Sequence, residues 1–169
     1  MNQLRELHQN ATKIEELNVP APEGYFRDPA GFLNPADGFS GDCVTVDANL
    51  GKTRKGNDSV GIQLETEDRI RFWANIYFTD GVTDNEKLTN AINTQQLDLF
   101  GIDEEFVLSE PSDDEVIAKI VGTSVGVRVK HDVQANGTVF LKVRFAPAGS
   151  VPPTNEASLL SRAAEIFRS

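Results

Sequence analysis

The chain is poor in the residues that carry most protein chemistry. Among 169 residues it has one cysteine, Cys43, and two histidines, His8 and His131. That excludes an internal disulfide and any Cys/His cluster at metal-ligand spacing. No apolar run approaches the roughly 20 residues of a membrane span, and the polar start MNQLRELHQN lacks the apolar stretch of a secretory signal. A cytoplasmic protein with no membrane partner is therefore expected, and the Asn-x-Ser/Thr triplets at Asn10, Asn57 and Asn136 carry no message. A phosphate-binding G-x-x-x-x-G-K-[ST] loop is also lacking. Gly122-Thr-Ser124-Val-Gly126 matches G-x-S-x-G, but a nucleophile elbow needs a helix after the serine and here a strand pattern follows. Asp103, Glu104, Glu105, Asp113, Asp114 and Glu115 have no histidine beside them, nor the glycine and terminal glutamate of a calcium loop. No enzyme, cofactor or metal site is expected, and a small-molecule hydrolase is the weakest of the alternatives.

What is present is charge, strongly segregated. The net charge is −10. Residues 98–115 hold eight acids and no base, whereas residues 116–149 hold five bases against Asp132 alone. A local basic face can attract phosphate on an acidic molecule; the acid run itself reads equally well as a solubilising loop. Length suits one principal domain with appendages.

Two segments alternate in a way that gives each a greasy and a decorated side. In Arg69 to Phe78, Ile70, Phe72, Ala74, Ile76 and Phe78 oppose Arg69, Arg71, Trp73, Asn75 and Tyr77, because successive strand side chains point to opposite faces. In Thr138 to Phe145, Val139, Leu141, Val143 and Phe145 oppose Phe140, Lys142 and Arg144; the run Val125, Val127, Val129 opposes Arg128 and Lys130. A solvated face that interleaves cations with aromatic rings suits base stacking along a phosphate backbone.

Other signals complete the order. Leu4, Leu7, Ala11, Ile14 and Leu17 predict an amphipathic helix. Residues 18–41, with four prolines and Tyr25, Phe26, Phe32 and Phe39, predict an extended, tethered arm. Strands are predicted over about Asp42 to Asn49, with Val44, Val46 and Ala48 on one face, and around Val60, Ile62 and Leu64, separated by a basic loop, Leu50 to Ser59, that carries Lys52, Arg54 and Lys55. A helix capped at Thr83 or Asp84 follows, with a stripe of Leu88, Ala91, Ile92, Leu97 and Phe100, and a weaker helical segment ends near Ile120. Asn136-Gly137 closes the last hairpin. Residues 149–153 read as a linker, and Leu159, Leu160, Ala163, Ile166 and Phe167 as one face of a terminal helix. The expected division is an N-terminal helix and arm (1–41), a mainly β domain (42–146) and a linker with C-terminal helix (147–169). Three strands, a helical crossover and two strands is the order of a five-stranded OB-fold barrel, although a sheet covered by a helix would give the same pattern.

Gly51-Lys-Thr-Arg-Lys-Gly-Asn57 before a strand, Phe72-Trp-Ala-Asn75 in the next, and Ile120-Val-Gly-Thr-Ser-Val-Gly-Val-Arg-Val-Lys130 with a hairpin to Lys142-Val-Arg144 resemble a family of small phage proteins. That family is catalogued mainly as a domain of unknown function and taken to be OB-fold single-stranded DNA-binding proteins of replication and recombination modules. The resemblance covers about residues 41–146, and Ile166-Phe-Arg-Ser169 departs from the acidic, aromatic-ended tail common in such proteins.

The expected function is thus sequence-tolerant binding of single-stranded DNA in phage replication or recombination. Trp73, Tyr77 and Phe140 are the candidate stacking platforms, and Lys52, Arg54, Lys55, Arg69, Arg71, Arg128, Lys130, Lys142 and Arg144 the candidate phosphate contacts. The bland alternative uses the rings as core and pairs the bases with acids such as Glu65 across strands. A homo-oligomer is expected because two amphipathic helices exceed what one small domain can cover, with replication or recombination proteins as further partners. The rival function is a non-catalytic interaction or assembly module of a replisome or virion.

Overall fold

A computed structural model describes residues 20–154; the amphipathic helices expected at either end lie outside the described residues. The order is β1 (Tyr25–Arg27), β2 (Leu33–Pro35), β3 (Ser40–Lys52), β4 (Asp58–Thr66), β5 (Arg71–Tyr77), α1 (Asp84–Asp98), α2 (Glu104–Leu108), α3 (Asp113–Ile120), β6 (Ser124–Val133) and β7 (Val139–Pro147). The protein is mainly β. Strands β5-β4-β3-β6-β7 form one antiparallel sheet in that spatial order, and β1-β2 form a separate hairpin. Edge strands β5 and β7 approach each other but share no ladder, so the sheet is open and not the closed barrel expected.

Alternation fills the core as the sequence predicts in β4 to β7, but not in β3. There Cys43, Thr45 and Ala48 are buried while Val44, expected on the same face as Val46 and Ala48, stands 36% exposed on the opposite face, because a bulge between Thr45 and Asp47 shifts the alternation. Ile62 and Leu64 of β4, Phe72, Ala74 and Ile76 of β5, and Val125, Val127 and Val129 of β6 are buried together with Phe145 of β7. Each large apolar side chain removed from water contributes about 1.5–3 kcal/mol. Phe100, just past α1, meets Phe145 edge-on at 5.1 Å.

Helix α1 behaves differently from its expected stripe. Thr83 and Glu86 form a reciprocal capping box, and Leu97 and Phe100 are buried, but Leu88 and Ala91 face solvent. Amide side chains dock the helix instead. Gln96 accepts from the Phe145 backbone N–H and donates 3.0 Å to its carbonyl, as a neighbouring strand would. Asn90 makes the same two-point contact with Thr79, and Asn93 donates to the Tyr77 carbonyl. These bonds satisfy backbone groups that the open sheet would leave unpaired.

Four hairpins use one turn. In Asp28–Phe32, Thr53–Asn57, Thr66–Ile70 and Gln134–Thr138 the fourth residue donates 2.9 Å to the first residue's carbonyl, and the first residue's N–H bonds the fifth's carbonyl. This is the three-residue loop with a left-handed residue before the returning strand. The left-handed place is held by Gly31, Gly56 and Gly137, and by Arg69 at φ +64°. The side chains of Asp28, Thr53 and Thr66 each accept from the fifth residue's N–H. Arg69, expected on the strand, therefore belongs to the turn, and β5 begins at Arg71, because the chain needs Glu67, Asp68 and Arg69 to reverse.

Both flanking segments are more structured than expected. Within the arm, β1 and β2 pair, Tyr25 and Phe39 enter the core with ring centroids 5.6 Å apart, and Phe26 meets His131 at 4.6 Å; only Phe32 of its aromatics stays largely exposed. Residues 147–154, expected as linker, fold back on the sheet. Val151 is 4% exposed, and Ser40 bonds both the Pro152 carbonyl and Thr154.

A left-handed arginine costs about 1–2 kcal/mol in backbone energy, offset in part by glycine's larger unfolded-state entropy. Arg69→Gly is expected to raise folding stability by about 0.5–1 kcal/mol in urea titration, whereas Gly56→Arg lowers it. The thiol of Cys43, buried between Thr66 and Val125 in register, is pushed up from 9.0 to about 12, chiefly by burial and then by Asp42 and Glu67. Because the unfolded thiol ionises first, its contribution to stability is complete below about pH 9 and lost as pH rises to about 12. Cys43→Ala should flatten that alkaline decline in stability, and the native thiol should resist alkylation at pH 8.

Candidate nucleic-acid interface

The solvent-facing side of the sheet follows from its register. Across β5, β4 and β3 the outward rows are Arg71–Glu65–Val44, Trp73–Gln63–Asp47, Asn75–Gly61–Asn49 and Tyr77–Ser59–Gly51. The shift between Thr45 and Asp47 in β3 is a bulge that keeps these rows on one face. The Val44–Ser124 pairing carries the same face onto β6, and from there it continues as Gly126–Ala146, Arg128–Arg144, Lys130–Lys142 and Asp132–Phe140.

Two stations result. The first is an aromatic shelf. Trp73 is 39% and Tyr77 57% exposed, about 13 Å apart along the strand at its ordinary rise. Between them Gly61 leaves room for the amides of Asn49 and Asn75; a Cβ there would lie 2.3 Å from Asn49 Oδ1 and 3.3 Å from Asn75 Oδ1. A lone glycine in an alternating strand is the sequence signal of such close approach, and it was the one mark of the shelf beyond the rings. Asn49, Gln63 and Gly61 were not among the residues expected here.

The second station is cationic. Arg128 stands directly opposite Arg144, and Lys130 opposite Lys142. Like charges so placed repel, and among the described residues the one ion pair these four cations make is Lys142 with Asp132 at 3.7 Å. Phe140, 57% exposed, stands opposite Asp132. The folded-back segment separates the stations: Val151 covers Gly126, where a Cβ would lie 2.8 Å from its methyl, and Asp42 accepts from the Gly149 N–H.

Other expected bases are distributed unevenly. Arg71 lies on the shelf but pairs with Glu65 at 2.9 Å, the cross-strand structural use that the sequence also allowed. Arg54 and Lys55 are exposed at the tip of the β3–β4 turn, beyond Tyr77. Lys52 is paired in register with Asp58, one residue off the outward Gly51–Ser59 row, and forms an ion pair with it; it faces the helices. Arg69 lies at the opposite end of β4, away from Lys52, Arg54 and Lys55.

Compared with profiles of known protein families and with curated protein sequences, the chain matches none.

The opposed arginines allow a structural role and a phosphate-binding role to be tested apart. Replacing Arg144 by Glu turns a repulsive pair into an attractive one, each such term being about 0.2–1 kcal/mol. The variant should denature at equal or higher urea concentration than the native chain while losing affinity for polyanions, measured by retention on immobilised heparin.

Proposed function

We propose that this protein is a non-catalytic, sequence-tolerant binder of single-stranded DNA, built on an OB-like half-open barrel. A central β3 paired with β4 on one side and β6 on the other, with the helical crossover after β5, supports that assignment, since the OB-fold has this order. Helix α1 bridges the two edges that a closed barrel would join. The setting in phage replication or recombination rests on the sequence resemblance.

The observation that carries the reading is the pair of exposed rings, Trp73 and Tyr77, on one strand face with amides between them. Stacking of an unpaired base on such a ring is worth about 1–3 kcal/mol and is indifferent to base identity. Amides of Asn49, Gln63 and Asn75 offer both donors and acceptors, so any base edge finds a partner. Arg54 and Lys55 flank one end of the shelf for phosphate contact. Arg128, Arg144, Lys130 and Lys142, with Phe140 beyond, form a second station for the same strand.

Titration with oligo-dT should quench the fluorescence of the sole tryptophan, and duplex of equal length should bind more weakly because its bases are already stacked. Affinity should fall with salt at a log–log slope of about −0.7 per neutralised phosphate. Trp73→Ala is expected to weaken binding by about 1–3 kcal/mol with little change in urea midpoint, since the ring is not in the core. Equal affinity for duplex, or a slope near zero, refutes the reading.

A further inference from the structure

Away from the outward face, a cleft of about 750 Å³ opens between the β3–β4 hairpin and helices α1, α2 and α3. Leu50, Val60, Leu97 and Ile102 form its apolar floor, and Val107 and Leu108 of α2 form its lip. These last two are 55% and 73% exposed. Large apolar side chains left in water beside a concave apolar surface mark a place of contact.

Its ionic border has one sign. Asp58, Asp103, Glu104 and Asp113 line the cleft against one base, Lys52, and that base is already paired with Asp58. Around them lies the acid run 98–115, none of whose acids makes an ion pair among the described residues. Helix starts account for many of these acids: Asp103 caps α2, and Asp113, Asp114 and Glu115 occupy the first turn of α3, where negative charge is favoured. That local role explains their positions and leaves their field uncompensated. It gives no reason for Val107 and Leu108 to face water.

We infer that this cleft docks a short segment of a partner protein in which a few large apolar side chains are flanked by lysine or arginine. The apolar floor takes the anchors, and the acid border selects cationic flanks and rejects acidic ones, so attraction and exclusion act together. A half-open cleft suits a polypeptide that continues past both lips better than a small molecule, which would be left partly in water. The inference does not depend on DNA binding, because the cleft lies on the other side of the sheet from Trp73 and Tyr77.

The test is selection of a random 16-residue display library on the full chain, then calorimetry with the recovered peptides. Recovered sequences should combine spaced apolar residues with Lys or Arg. Leu108→Glu should weaken them at least tenfold, and Val82→Glu, which adds the same charge at a site 75% exposed and outside the cleft, should change affinity less than twofold. Folding of both variants is checked by urea titration, which substitutions at such exposed positions should leave unchanged. Recovery of no binders, of acidic sequences, or of peptides equally sensitive to both substitutions overturns the inference. Replacing the apolar anchors by serine without loss of affinity would also overturn it, since that would be attraction by net charge alone.

Discussion

Strand β3 is the member on which the other elements depend. It pairs with β6 through Ser40–Val44 and with β4 through Cys43–Lys52, so for two residues both edges of its backbone are occupied. The bulge at Thr45–Asp47 falls just where β6 has left and only β4 continues. A bulge strengthens local twist, which turns the β4–β5 half against the β6–β7 half and brings their free edges toward each other. Thr45, 1% exposed, bonds the Thr123 carbonyl at that corner, so the polar group buried by the bend is satisfied.

Edge approach without edge pairing leaves a gap, and α1 occupies it. A greasy helix could cover the core there but could not satisfy the outward N–H and C=O groups of β5 and β7. Asn90, Asn93 and Gln96 do both: their amides substitute for a strand while Leu97 and the adjacent Phe100 close the interior. The helix is consequently polar along much of its length, and its sequence resembles that of a solvent-exposed element more than a core one.

Charge is divided between the two sides of the same sheet. Arg128, Lys130, Lys142 and Arg144 stand on the outward face, and the acids of α2 and α3 surround the cleft behind the β3–β4 hairpin. An overall charge of −10 would repel a polyanion if it were evenly spread. On the proposed reading, segregation would let one face attract phosphate within about a Debye length, roughly 8–10 Å at ordinary salt, while the acid border would recruit cationic protein. Two ligands of opposite charge are thus compatible with one small domain.

The sequence by itself determined most of the main sheet's strands, the faces of β4 to β7 and the glycine-bearing turns at Gly56 and Gly137; the face of Val44 in β3 and the β1–β2 hairpin it did not. Side chains alternate with a period of two regardless of neighbours, so Phe72, Ala74 and Ile76 had to be buried if Trp73 and Tyr77 were exposed; Thr83 with Glu86, and glycines at Gly56 and Gly137, mark boundaries through local backbone chemistry. Those features are set within a few residues. What only the tertiary structure decided are relations between segments distant in the chain: that β5 and β7 remain unpaired, that Gln96 serves as partner to Phe145, that Val151 packs over Gly126, and that Arg128 meets Arg144. Arg69 shows the limit most plainly, since its alternation matched a strand, and a three-residue reversal joining β4 to β5 placed it in a left-handed turn. Local pattern carries periodicity but not partner identity, and partner identity is fixed only when the whole sheet closes its hydrogen bonds at once.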